Sequence, residues 1–307
     1  MKTIRTAAEL GNGGRKVCLA IGVFDGVHLG HQQIIRQTVA DARQHDGLAV
    51  VLTFDQHPNV VIAPDRVPSM IYSQPQKLRA IESLGVDALL MLRFDRAFSE
   101  QTGETFIRLL ARDFCHLQSI CVGADFVFGH KRSGNVALLA RLGQELNFTV
   151  HGVAALSLDG QVVSSTRIRE AIRAGDFDAA SQMLGRAYVL AAKVIEGDQL
   201  GHKLGFPTAN LNTPGFVLPP NGVYAALTTV RGRTHHAVLN IGHRPTLNQP
   251  TPQLRVEVHL VDFNGELYGE EMEVTFLSKL RDERKFASLD ELKAQITRDI
   301  AEARKRF

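Results

Sequence analysis

Tryptophan is absent from this 307-residue chain, and Cys18, Cys115 and Cys121 are its only cysteines. An odd count without a Cys-x-x-Cys pair argues against a disulfide framework or a zinc knuckle, and makes a reducing, cytoplasmic setting the default. No apolar stretch approaches the roughly 18 residues that cross a bilayer. The opening Met1-Lys2-Thr3-Ile4-Arg5 is not followed by a segment of signal-peptide character. Charge of one sign is also missing. With 35 basic and 32 acidic residues the formal charge is +3, too small to argue for a nucleic acid or a membrane surface as partner. Low-complexity segments and short-period repeats are lacking as well. What is present is a chain 44% hydrophobic and 22% charged, long enough for about two ordinary cores. The expected partners are small phosphate-bearing molecules, with no nucleic acid and no membrane; weak self-association is left open.

The most informative stretch is Gly22-Val23-Phe24-Asp25-Gly26-Val27-His28-Leu29-Gly30-His31, directly after the apolar run Val17–Ile21. A buried strand ends in a Gly-rich turn, and a helical pattern follows through Ile34, Ile35, Thr38 and Val39. Glycines let backbone approach a polyanion, and a helix start offers unpaired N–H groups and a positive dipole. His28 and His31, three residues apart, project from one face. His-x-x-His with no Cys or Glu partner is a poor catalytic zinc site, and the residues fit neither a Walker loop nor a dinucleotide fingerprint. The turn reads as a phosphate site.

Strand-like and helix-like segments alternate in the first part: Leu48–Phe54, 77–84 (helical), Ala88–Leu92, 105–114 (helical) and 119–122. Such alternation predicts a parallel sheet with ligands at the carboxyl ends of its strands. Three polar clusters fall there: 24–31, Phe54-Asp55-Gln56-His57-Pro58, and 123–129 with Asp125. From the residues alone Asp125 is either a turn cap or a substrate contact. Ser164-Ser165-Thr166-Arg167-Ile168-Arg169 opens another helix; alone it reads first as an ordinary capped surface helix, and second as hydroxyls and a guanidinium gathered at an anion.

After Arg186 the texture changes to alternating segments punctuated by Gly, Pro and Asn, at 188–195, Gly222–Val230, 237–241, 254–263 and 271–276. This predicts a small antiparallel barrel. Residues 288–304 return to helical spacing with Ser288 as N-cap. The expected division is 1–185 and 186–307. Gly197, Gly201 and Gly205 at four-residue spacing, then Pro207-Thr208-Ala209-Asn210, read as a barrel turn or as a loop wrapping a ligand. In the second reading the neutral oxygens of Thr208 and Asn210 could complete a Mg²⁺ shell shared with phosphates. Along 254–260, Arg255, Glu257 and His259 share one face, as an exposed charged row or as a wall carrying a general base.

The turn Gly-x-Phe-Asp-Gly-x-His-x-Gly-His and the Ser-Ser-Thr-x-Ile-Arg segment resemble the two signatures of nucleotidyltransferases. Gly205-Phe206-Pro207-Thr208-Ala209-Asn210, Pro219-Pro220-Asn221-Gly222, Asn240-Ile241-Gly242 with Arg244-Pro245-Thr246, Val256-Glu257-Val258-His259 and 280–286 resemble riboflavin kinase. Nearly the whole chain is thus similar to the prokaryotic bifunctional riboflavin kinase/FAD synthetase family. The resemblance implies an α/β Rossmann-like nucleotidyltransferase domain followed by a small antiparallel β-barrel with a C-terminal helix. It implies phosphorylation of riboflavin to FMN and adenylylation of FMN to FAD, with ATP, riboflavin and FMN as substrates and Mg²⁺ as cofactor. In the first domain it assigns ATP to Gly22, Phe24, Asp25, Gly26, His28, Gly30, His31, Ser165, Thr166 and Arg169, and the acceptor side to His57 and Asp125. In the barrel it assigns ATP and Mg²⁺ to Gly201, Gly205, Thr208 and Asn210, the base to Glu257, and the flavin side to Arg281.

Three residues depart from the family pattern. Gln56 replaces a proline, His202 an arginine and His243 a small residue. A histidine at 202 makes phosphate contact weaker or pH-sensitive, because a guanidinium is permanently charged. Two rivals accompany this reading. One is a nucleotidyltransferase for another phosphorylated metabolite, with the barrel only binding a ligand. The other is a flavin sensor or RNA binder using Lys279 to Lys285, a basic run that Asp282 and Glu283 interrupt.

Overall fold

The computed structural model describes residues 1–197, 200–244 and 253–307. It divides into two units, Met1–Pro68 with Gln74–Ser165, and Ser69–Ser73 with Thr166–Phe307. The readings placed on residues 198, 199, 245 and 246, and on the side chains of His243 and Arg244, lie outside the described residues.

In the first unit β1 (Lys2–Ile4), β2 (Val17–Ile21), β3 (Leu48–Phe54), β4 (Ala88–Leu92), β5 (Leu117–Gly123) and β6 (Thr149–Val153) form one sheet in the order β1-β4-β3-β2-β5-β6. All its pairings are parallel. The four central strands β2 to β5 are largely apolar on both sides, as a doubly covered sheet requires. Val17, Leu19, Ile21, Val50 and Leu52 face a core with Phe106, Ile107 and Leu110 of α3 (Gly103–Phe114) and Leu139 and Leu142 of α4 (Val136–Leu146). Cys18, Ala20, Val51, Leu89 and Met91 face the other way, against Ile35, Val39 and Ala42 of α1 (Leu29–Gln44) and Ile81 of α2 (Gln74–Glu82).

The order of strands decides where a ligand can enter. From β2 the chain winds one way through β3 and β4, then returns to the other side of β2 to place β5 and β6. The carboxyl ends of β2 and β5 therefore flank the switch point, where connections leave in opposite directions and a crevice opens. The His turn follows β2 and the Asp125 turn follows β5.

The second unit holds α5 (Ser165–Ala174, from Thr166), α6 (Phe177–Leu184) and a closed antiparallel barrel. Its strands are β7 (Val189–Ile195), β8 (Ala209–Leu211), β9 (Gly222–Val230), β10 (Arg233–Arg244), β11 (Gln253–Leu260) and β12 (Glu271–Arg281), in the order β7-β8-β11-β10-β9-β12. Closure leaves no edge strand to pair with another chain. Phe177 stacks on Phe276 at 4.8 Å. Helix α7 (Leu289–Ala303) begins where Ser288 Oγ accepts the Glu291 N–H at 3.2 Å, and its Ala303 packs with Val223, Ala225 and Val238 on the outside of the barrel.

The cysteines sort by burial. Burial pushes the Cys18 thiol up to about 12 and the Cys121 thiol up to about 11, and a nearby Asp41 carboxylate pushes both the same way. Cys115 is exposed beyond α3. Since the thiolate is the reacting form, titration of the native chain with a thiol reagent near pH 8 is expected to modify Cys115 alone, and all three only after unfolding. Rapid native modification of Cys18 or Cys121 would show that this face of the sheet opens readily.

Candidate functional site

The turn after β2 is tightly wound. Phe24 and Val27 both take positive φ, 53° and 42°, and Gly26 takes 77° between them. Left-handed backbone is costly for a β-branched residue such as Val27, and such strain gathers at functional sites. The Phe24 ring is only 1% exposed and meets His31 edge-on at 5.2 Å. Its side chain therefore supports His31 from below. A Cβ on Gly22 would lie 2.9 Å from that ring, so only glycine fits over it.

His28 caps α1, its Nδ1 accepting the His31 N–H at 3.4 Å. That bond leaves Nδ1 without a proton, so the ring carries its hydrogen on Nε2. The two imidazoles stack at 3.6 Å with 21° between planes. Burial holds His31 well below the ordinary histidine range, and the neighbouring His28 and Lys77 push the same way. Its Nδ1 is buried without a hydrogen-bond partner in the described structure. An uncharged His31 stacked beside His28 at a helix N-terminus makes a donor site for anions.

The polar residues beyond the other strand ends hold their own loops. Asp55 Oδ1 accepts the Phe94 N–H at 3.0 Å, and Gln56 donates to the Phe94 carbonyl at 2.8 Å. Gln56 thus anchors the loop that a proline would otherwise stiffen. His57 Nδ1 accepts the Asn59 N–H at 3.1 Å, starting a short helical turn. Asp125 is exposed in the turn after β5. Ser165 donates to the Asp25 carbonyl at 3.0 Å, tying the last residue of the first unit to the His turn. Thr166 and Arg169 belong to the second unit, where Arg169 is 7% exposed and donates to the Ser69 carbonyl at 2.6 Å.

Sequence reasoning missed Lys77. It lies within a segment read only as helical, yet its Nζ reaches the Val23 carbonyl (3.4 Å), Thr53 Oγ1 (3.3 Å) and the Phe54 carbonyl (3.4 Å). Burial lowers its pKa, while Asp25 and Asp55 oppose that shift.

In the barrel, strand register builds the site. Asn210 on β8 pairs with Glu257 on β11, Glu257 with Asn240 on β10, Asn240 with Val223 on β9, and Val223 with Arg281 on β12. One rung therefore runs Asn210, Glu257, Asn240, Val223 and Arg281. On either side of Glu257, Val256 and Val258 are buried inside the barrel. The alternation expected for this strand holds, and Glu257 faces outward. Outward here is into a cavity of about 360 Å³, lined by Gly201, Thr208, Asn210, Glu257 and Arg281 and roofed by Leu292, Ile296 and Asp299 of α7. The volume lies in the range of small-molecule sites.

The loop before β8 is held against this wall. A Cβ on Gly201 would lie 2.4 Å from the Phe206 carbonyl oxygen and 3.0 Å from Thr208 Oγ1. The Gly201 carbonyl accepts the Phe206 N–H at 2.8 Å, while Gly205 turns the chain at φ 87°. His259 Nδ1 donates to the Pro207 carbonyl at 2.9 Å. Arg281 forks onto Asp299 of α7, Nε to Oδ1 at 3.0 Å and Nη2 to Oδ2 at 2.8 Å, and its remaining amino group donates to the Asp282 carbonyl. It is therefore a strut between β12 and the helix as well as a wall of the cavity. A second cavity of about 420 Å³ shares Thr208 and is lined by Val194, His202, Leu260, Phe263 and Tyr268. The 263–268 segment carried no motif, so the sequence did not point to it.

A family model described as FAD synthetase matches residues 12–167, and one described as riboflavin kinase matches 184–307. The chain is 38% identical to the bifunctional riboflavin kinase/FMN adenylyltransferase of Haemophilus influenzae over 94% of each chain. It is 38% identical to the protein of that name from Escherichia coli K12, over 100% of this chain and 98% of that one. The Bacillus subtilis protein of the same name is 35% identical over 95% of this chain. A crystal structure titled as a macrolide-efflux protein from Streptococcus pneumoniae superposes with a TM-score of 0.81 at 29% identity over 98% of each chain. Among the described residues no helix is long and apolar enough to cross a membrane. With both family models in order along the chain and relatives matched over nearly their full lengths, the chain belongs to the bifunctional riboflavin kinase/FMN adenylyltransferase family.

Proposed function

We propose that the two activities of this family are divided between the two sites. The chain phosphorylates riboflavin to FMN at the barrel and adenylylates FMN to FAD, with release of pyrophosphate, at the switch point of the parallel sheet. The observation that carries the barrel assignment is the rung Asn210-Glu257-Asn240-Val223-Arg281 facing one cavity. Of the carboxylates lining that cavity, Asp299 is held by Arg281, and Glu257 stands on the barrel rung, where an acceptor hydroxyl can lose its proton.

In the kinase reaction Glu257 takes the proton of the riboflavin 5′-hydroxyl as its oxygen attacks the γ-phosphorus of ATP and the bond to ADP breaks. The flavin lies on the α7 side, against Arg281 and the apolar faces of Leu292 and Ile296. Thr208, common to both cavities, marks the passage of the phosphates, and the neighbouring cavity with Phe263 and Tyr268 takes the nucleoside. His202 lies on that nucleoside side, where it supplies an imidazole in place of an arginine. The donors of Thr208, Asn210 and Glu257 are all oxygens in one cavity, which suits Mg²⁺; no group of three or more His, Cys, Asp or Glu among the described residues could hold a metal by itself, so the ion would take its other ligands from phosphate and water. When bound, Mg²⁺ supplies charge neutralisation at the phosphates.

In the adenylyl transfer a phosphate oxygen of FMN attacks the α-phosphorus of ATP and pyrophosphate leaves. No covalent protein intermediate is required, and the residues align the phosphates and donate hydrogen bonds to developing charge. His28 and His31 serve the ATP phosphates, supported by Gly22, Asp25, Gly26, Gly30 and Ser165. His57 and Asp125, beyond the ends of β3 and β5 on either side of β2, serve the acceptor. The assignment of Thr166 and Arg169 to the β- and γ-phosphates rests on the sequence motif alone. Cytoplasmic residence accords with the three free thiols.

Two variants separate the sites. His28→Ala is expected to lower FAD formation from FMN by about 100- to 1000-fold while FMN formation continues. Glu257→Gln is expected to lower FMN formation by about 100- to 10,000-fold while FMN supplied directly is still converted to FAD. Loss of both activities in either folded variant, seen by chromatography of the flavins, would contradict the division. Gly201→Ala drives a methyl group into the Phe206 carbonyl and the Thr208 hydroxyl. It should cost the kinase reaction about 100-fold, as for a catalytic loop displaced by an ångström, and spare FAD formation. Unchanged kinase kinetics would show that the loop does not hold ATP.

A further inference from the structure

Lys77 has no place in the motifs, yet it occupies the ground beneath the His turn. Helix α2 carries it across the sheet face so that its three ammonium hydrogens meet three acceptors, the Val23 carbonyl, Thr53 Oγ1 and the Phe54 carbonyl, at 3.3 to 3.4 Å. Val23 belongs to the turn after β2, and Phe54 ends β3 immediately before Asp55-Gln56-His57. One side chain therefore fastens together the two loops that carry His28, His31 and His57. Two carboxylates, Asp25 from the first loop and Asp55 from the second, face the ammonium and favour its charge against burial. Its donors are engaged by the protein, so Lys77 acts on a ligand through its neighbours and its field.

We propose that Lys77 is a positioning residue of the adenylyl transfer, a fixed cation that locks the His turn to the β3 loop and so holds His28 and His31 toward the ATP phosphates. The proposal rests on the assignment of His28 and His31 to those phosphates. The groups that bear on His31 are His28, stacked on it from the cap of α1, and Lys77 from α2. A cation nearby disfavours a second one, so the lysine and burial act in the same direction on the imidazole. Removing the lysine charge lets His31 protonate at higher pH. A charge on His31 is opposed by burial and by its stacked neighbour His28, so protonation there disturbs the stacked pair.

The test uses the full-length chain with Lys77→Met, Lys77→Gln and Lys77→Arg, with FAD formation from FMN and ATP measured across pH and the riboflavin kinase rate of the same protein as the check on folding. The expected result is a fall of about 30- to 300-fold in kcat/KM for ATP in the Met and Gln variants, expressed mainly in kcat. The acid limb of the pH profile should move to higher pH in both, while the Arg variant retains the parental limb and most of the rate. If Gln restores the rate and the parental pH limb, hydrogen bonding alone suffices and the charge role is overturned. If all three variants match the parent, Lys77 has no part in the reaction. His28→Ala, assayed alongside, separates the two levels: an active His28→Ala protein overturns the phosphate assignment itself, whereas an inactive one beside a fully active Lys77→Met overturns only the role given to Lys77.

Discussion

Backbone pairing is the constraint on which both halves of the molecule depend. A strand inside a sheet uses its N–H and C=O groups on its neighbours, so chemistry is left to the ends of strands or to side chains on one face. The two units take these two options. In the parallel sheet the central strands are largely apolar on both faces, and the polar residues collect beyond the carboxyl ends, where β2 and β5 part. In the barrel β11 alternates, and strand register sets Asn210, Glu257, Asn240, Val223 and Arg281 along one rung of the outer surface. Slipping β11 by one residue would turn Glu257 into the barrel and bring Val256 or Val258 to the cavity.

The same constraint explains which residues are strained and which are restrained. The first site needs a turn that reverses sharply enough to aim a helix N-terminus at the strand end, and the positive φ of Phe24, Gly26 and Val27 supplies it. Packing compensates locally: Phe24 is buried under His31, and Val27 is buried in the same core face as Ile35. The second site needs a loop that lies flat on a barrel wall. Gly201 permits the close approach, His259 holds Pro207, and the Arg281–Asp299 fork sets the roof helix against β12.

Much of this was legible in the sequence because the signals were local. The apolar runs of β2 to β5 and the alternation of β11 predicted strands, and Ser288 predicted the start of α7. The His turn was visible as a Gly-rich string between a strand and a helix. What escaped was either short or long-range. Lys2–Ile4 has only three residues, too few for a period, and Thr149–Val153 is interrupted by His151 and Gly152. The pairing of Asn210 with Glu257 joins residues 47 positions apart, and alternation gives the face of a strand but not its partner. Lys77 escaped for the same reason, since on a helical wheel it is an ordinary polar residue and only the sheet beneath it brings it to Val23 and Phe54. The Phe263 and Tyr268 side of the second cavity lies in an irregular segment, where no periodicity exists to read.

The most direct measurement is a chromatographic time course of the purified chain with riboflavin, ATP and Mg²⁺, resolving riboflavin, FMN and FAD. The account predicts that FMN forms first and FAD follows from it, and that FMN supplied alone with ATP yields FAD without any riboflavin. Riboflavin that stays unchanged, together with FMN that stays unchanged when supplied separately, would contradict the assignment of these two sites to flavin chemistry.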